Sequence, residues 1–144
     1  MSSPFTDLEA DYLTTQRLGR IATQQPDGTL QVSPVGFSYD PATGMISVHG
    51  YRMAKSRKYR NVADNGRVAF VVDDLASTRP WRPRCVEVRG RGEATTDPAG
   101  EPVILIQAEQ IISFGLDNAN VPAHSFQITS RQVATRTADR EQQP

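Results

Sequence analysis

The chain has 144 residues, 22% of them charged, and its 16 basic and 16 acidic side chains leave a formal charge of zero. That length suits one domain with a sizeable core, and the balance argues against a general nucleic-acid or membrane-surface binder, which needs a net basic field. The lone cysteine, Cys85, excludes a disulfide framework and any Cys-rich zinc site, and with neither an apolar run of about 18 residues nor a secretory leader the expected setting is the cytoplasm.

Ser3-Pro4 reads as a helix N-cap and first turn, with Phe5, Leu8, Tyr12 and Leu13 forming one apolar stripe on a short helix over residues 4–16. From Leu18 the period shortens to two, and Gln25-Pro26-Asp27-Gly28 turns the first strand into a second that runs from Thr29 to about Tyr39. Pro34 inside it cannot donate a ladder hydrogen bond, which implies an edge, a bulge or irregular backbone. After the turn at 40–44, Met45–His49 reads as a third strand, residues 55–65 as a helix stopped by Gly66, and Val68–Val72 as a buried strand. Pro80-Trp81-Arg82-Pro83 reads as a stiff loop before a long strand, Arg84–Ala94, and an apolar pair, Val103–Ile106 and Gln110–Phe114, closes the series. The polar segment 117–144 is expected to be a partly loose extension of a single domain spanning 1–144. Six or seven sequential antiparallel strands with short helices point to a small barrel, because closure removes exposed sheet edges.

The strongest site candidate lies between Gly50 and Asn61. Arg52, Lys55, Arg57, Lys58 and Arg60 place five cations in nine residues with no acid among them, and they include the only two lysines of the chain. After the strand ending at His49-Gly50 and a loop, Ser56-Arg57-Lys58 opens or sits just inside a helix, which is where backbone N–H groups, a guanidinium and an ammonium can grip a phosphate. A solvated basic helix face is the competing reading of the same residues.

Gly19-Arg20-Ile21-Ala22-Thr23, the Pro26-Asp27-Gly28 hairpin, Gln31–Phe37, and Ser56-Arg57-Lys58 followed by Asn65-Gly66-Arg67-Val68 resemble the pyridoxamine 5'-phosphate oxidase-like split-barrel flavoproteins. The resemblance covers nearly all of the first 116 residues, with Gly66 standing where that family has proline. Val71–Ser77, Trp81-Arg82-Pro83-Arg84 and Ile111–Leu116 are similar to its actinobacterial branch that uses the deazaflavin coenzyme F420. The resemblance implies a mostly β fold, a six-stranded antiparallel split β-barrel of the FMN-binding type, working as a homodimer with the cofactor at the interface. It also implies coenzyme F420, or alternatively FMN, as cofactor. Arg57 and Lys58 would hold its phosphate with Ser56 assisting, His49 and Gly50 would approach the phosphate or ribityl chain, and Ser33, Pro34, Val35 and Gly36 would lie along the rings.

The activity so implied is hydride transfer between reduced deazaflavin and an unsaturated small organic molecule. The alternatives are an FMN enzyme of the same fold, or a flavin-binding carrier or sensor without turnover. Pyridoxamine phosphate oxidation is not expected, because beyond Phe114 only His124, Arg131, Arg136 and Arg140 are available, without the Arg-x-His spacing of those oxidases, and the leading segment is short for covering a substrate. No proton donor stands out. His49 and His124 lack a third metal ligand, Cys85 reads as a small strand residue, Asp73-Asp74 as a turn or cap pair, and Trp81 as a loop or dimer anchor that could otherwise stack on a flavin.

Overall fold

The computed structural model describes residues 3–117 and 127–134. Helix α1, Asp7–Thr15, starts one turn later than expected. Thr6 caps it through a reciprocal pair, with Glu9 N–H donating to Thr6 Oγ1 at 3.2 Å and Thr6 N–H donating to Glu9 Oε1 at 2.9 Å. Ser3, the expected cap, instead shares a 2.8 Å hydrogen bond with the Tyr39 hydroxyl. Because Glu9 takes an inward position beside Tyr12 and Leu13, Leu8 turns outward and is 53% exposed rather than part of the stripe.

Strands β1 (Leu18–Gln24), β2 (Leu30–Tyr39) and β3 (Ile46–His49) form the expected antiparallel meander. A single 3₁₀ turn, Met53–Lys55, leads into helix α2, Arg57–Asn65. Gly66 ends α2 at φ 69°, the left-handed conformation a glycine adopts without steric cost, and its N–H donates to Val62 O. Strands β4 (Arg67–Thr78) and β5 (Trp81–Thr96) make a long hairpin, β6 runs from Pro102 to Phe114, and β7 is Thr129–Gln132.

Pairing runs β3-β2-β1-β4-β5-β6, and a further β3–β6 ladder closes these six strands into a barrel. Phe70, Ile21, Ile46, Val48, Val86, Ile104 and Ile111 fill its interior. One edge of β6 is shared: β3 pairs with residues 104–106 and β7 with residues 110–113.

Two expectations are corrected. Trp81, Arg82 and Pro83 are strand residues paired with Thr78, Ser77 and Leu75, and the register shift between Leu75 and Ser77 accommodates Pro83. The last apolar pair is one strand, because a bulge opposite Arg89–Gly90 absorbs the polar interruption at 107–109. Gly90 is required there, since a Cβ would collide with the Gln107 carbonyl oxygen. Within the segment 117–144, Thr129–Gln132 adds a strand to the sheet. Pro34 agrees with the edge reading: β3 covers β2 only from Gly36 to Tyr39, so among the described residues no strand pairs with Leu30 to Val35 on that side.

Candidate functional site

Alternation along β2 splits the segment predicted to meet a ring system. Pro34 and Gly36 are exposed on the outer face, Val35 is buried in the core, and Ser33 Oγ is buried without a hydrogen-bond partner. Gly36 pairs with Leu18 on one side and His49 on the other, so Leu18, Pro34, Gly36 and His49 share one outer surface. Val35 can reach a ligand there only through its backbone.

At the start of α2 the Ser56 hydroxyl is committed to the helix. It donates to Met53 O at 2.6 Å and accepts from Tyr59 N–H at 3.2 Å, which leaves no hydroxyl proton for a phosphate. Of the three residues expected to hold a phosphate, Arg57 and Lys58 keep side chains free to do so. Neither forms an ion pair among the described residues, and the first turn of α2 carries no acid to offset the positive end of its dipole. The β1–β2 turn lies nearby: hydrogen bonds from Thr29 hold the Asp27 carboxyl below its usual range, with a smaller contribution from the Arg57 charge.

The other cations of the cluster have separate tasks. Arg60 Nη2 donates to Lys55 O at 3.0 Å, and Arg52, at φ 54°, sits 5.3 Å from the Tyr51 ring centre. His49 and Gly50 line a cavity of about 480 Å³ together with Arg52, Met53 and Lys55, but not with Arg57 or Lys58. The structure thus brings the predicted residues to two adjoining places, the α2 start and the end of β3.

Asn61 was not anticipated. Fully buried, it donates from Nδ2 to Thr23 Oγ1 at 3.1 Å and to Gln31 Oε1 at 3.4 Å, while its Oδ1 has no partner. Asn65 Nδ2 donates to Gln24 O at 2.7 Å. These two amides fix α2 against β1 and β2, and so set where Arg57 and Lys58 stand. Their one trace in the sequence is a pair of asparagines four residues apart on the helix face that also carries Val62.

The remaining candidates serve structure. Asp73 pairs with Arg20, and Asp74 accepts from Arg84 Nε at 2.8 Å and from the Tyr12 hydroxyl at 2.9 Å. Burial, then Asp73 and Glu87, pushes the Cys85 thiol up to about 11. Arg131 is bound to Glu9 and to Pro4 O, while His124, Arg136 and Arg140 lie outside the described residues. Among the described residues no His, Cys, Asp and Glu cluster could hold a metal, and no helix is long and apolar enough to cross a membrane.

A closed six-stranded antiparallel barrel with a basic helix start beside an open strand edge defines a split-barrel protein of the flavin-binding type. Residues 5–136 match the pyridoxamine 5'-phosphate oxidase family, and the chain belongs to it. It is 36% identical over 143 residues to the 5a,11a-dehydrotetracycline/5a,11a-dehydrooxytetracycline reductase of Streptomyces rimosus, covering 92% of this chain and 99% of that protein. Among solved structures, an F420 reductase is similar at 27% identity and TM-score 0.53, over 68% of this chain and 91% of that one. A FAD-binding protein of Mesorhizobium loti shares the fold at 24% identity and TM-score 0.59, over 76% of this chain and 93% of that one.

Proposed function

We propose that the chain is a coenzyme F420-dependent oxidoreductase that passes a hydride between the reduced deazaflavin and an unsaturated organic molecule, as a homodimer with the cofactor at the interface. The observation that carries this reading is the likeness to the Streptomyces reductase, whose alignment takes in 99% of that protein and so spans its reducing site. The similar F420 reductase favours the deazaflavin over FMN.

The residues present fit such a cofactor. Arg57 and Lys58, with the N–H groups of the first α2 turn, would hold its phosphate. Pro34 and Gly36 leave the outer face of β2 low enough for a ring to approach, while Ser33, whose side chain lies on the inner side with Val35, would meet it only through its backbone. A bound deazaflavin would supply the hydride itself. The chain contributes grip and orientation, and neither Tyr12 nor Cys85 is a ready acid: burial and then Asp74 push the Tyr12 phenol far up, and the Cys85 thiol is pushed up to about 11. Pyridoxamine phosphate oxidation is not part of the reading, since Arg131 is held by Glu9.

Parallel titration of the purified protein with coenzyme F420 and FMN tests the reading, followed by reduction assays on quinones, enones, tetrapyrroles and dehydrotetracyclines. Tighter binding of F420 and turnover of a conjugated compound are expected. Saturable FMN binding without F420 binding would replace it with the FMN reading, and tight binding without turnover would leave a carrier.

A further inference from the structure

Beside the end of β3, the cavity of about 480 Å³ separates two walls of opposite charge. One wall is the His49–Lys55 connection, with Arg52 and Lys55. The other is the turn between β5 and β6, with Asp97 and Glu101. No ion pair joins the walls among the described residues. Asp97 is occupied in shaping its turn, accepting the N–H groups of Ala99 and Glu101 at 2.9 Å each. Lys55 and Glu101 both line the cavity, and neither side chain makes a hydrogen bond or ion pair of its own among the described residues.

A ligand that satisfies both walls carries an acidic oxygen for Lys55 and an ammonium for Glu101. We propose that this cavity is the subsite for a zwitterionic organic substrate, one that bears an amine close to a carboxyl or acidic enol, and that Lys55 and Glu101 select it. The proposal rests on the oxidoreductase reading, because His49 and Gly50 belong both to the cavity and to the residues assigned to the cofactor, which places the occupant alongside it. Arg57 and Lys58 do not line the cavity, so the two grips can be separated by mutation.

The test uses the whole chain and two probes: tetracycline, a zwitterion near neutral pH, and its dedimethylamino analogue, which lacks the ammonium. Binding is followed by probe fluorescence with and without coenzyme F420, and F420 binding is measured separately. The parent is expected to prefer tetracycline, and Glu101→Gln and Lys55→Met to weaken tetracycline by about threefold to tenfold each, as fits partly solvated charge contacts. Glu101→Gln should leave the analogue and F420 unaffected. Equal binding of both probes by the parent, or equal losses for both in Glu101→Gln, would overturn the proposal, as would weakened F420 binding in either variant, which assigns the cavity to the cofactor. If F420 fails to bind while the discrimination between probes persists, the cofactor reading falls and the cavity assignment stands. Far-ultraviolet circular dichroism of each variant confirms that the fold is intact, as surface substitutions should leave it.

Discussion

Glu9 and Arg131, 122 residues apart, join the first helix to the last described strand, with Nη2 at 2.5 Å from Oε1 and Nη1 at 3.0 Å from Oε2. Glu9 is 1% exposed, and its carboxylate also accepts from Ser113 Oγ at 2.5 Å while capping α1. Burial alone would raise the carboxyl, but hydrogen bonds from Arg131, Ser113 and Thr6 outweigh it and hold it below its ordinary 4.5.

Removing Arg131 leaves a buried, uncompensated charge. Arg131→Met should destabilise the fold by about 3 kcal/mol near neutral pH, read from the urea unfolding midpoint. Its pH dependence has a definite sign. In the parent, Glu9 and Asp74 have lowered carboxyl values, Asp74 chiefly through its hydrogen bonds from Arg84, so their stabilisation is complete above the ordinary 4.5 and 3.8 and is lost as pH falls through the lower folded values. In the variant, burial raises Glu9, so protonation relieves it and the gap to the parent should narrow toward about pH 4. A gap that stays constant would mean that Glu9 is not the affected group.

The proposed homodimer has a definite surface. On the outer face Val32 pairs with Ala22, which pairs with Ala69, and Val32 and Leu30 are 66% and 76% exposed. A two-fold partner would cover this apolar row with the same row. Sedimentation of the parent should give twice the chain mass, and Val32→Asp should shift it toward monomer. A parent that is monomeric at micromolar concentration with cofactor bound contradicts an interface site.

Cys85 is buried, with its thiol raised to about 11. Alkylation by iodoacetamide at neutral pH should therefore be at least about 100-fold slower in the folded protein than in urea, because the thiolate is the reactive form. Labelling at comparable rates would place Cys85 in an accessible and activated setting.

What the sequence disclosed was local. Asp27-Gly28 announced the first hairpin, Gly66 the end of α2, and Ser56 the start of it, since each acts within a few residues. The placement of Arg57 and Lys58 was legible for the same reason, as a cation pair at a helix start. The rest depends on partners far along the chain. Thr6 outcompetes Ser3 as cap because Glu9 closes the reciprocal pair and is itself held by Arg131. Strand β7 is short and polar, and pairs only because β3 leaves the second half of the β6 edge open. The unbroken course of β6 rests on a bulge at Glu109 that Gly90 of the neighbouring strand makes room for, which no periodicity within β6 reveals. Asn61 supports the site through Thr23 and Gln31, contacts that span 38 and 30 residues.

The measurement that bears most directly on the central claim is titration of coenzyme F420 into the parent and into Arg57→Ala, Lys58→Ala and Arg60→Ala. Charge-assisted contacts to a phosphate contribute about 1.5–3 kcal/mol each, so Arg57→Ala and Lys58→Ala should each weaken binding by roughly 10- to 150-fold, while Arg60→Ala, whose guanidinium serves Lys55 O, should change it little. Small and equal losses for all three, erased by added salt, would mean a solvated basic face. Parent-like binding by both Arg57→Ala and Lys58→Ala would contradict the account.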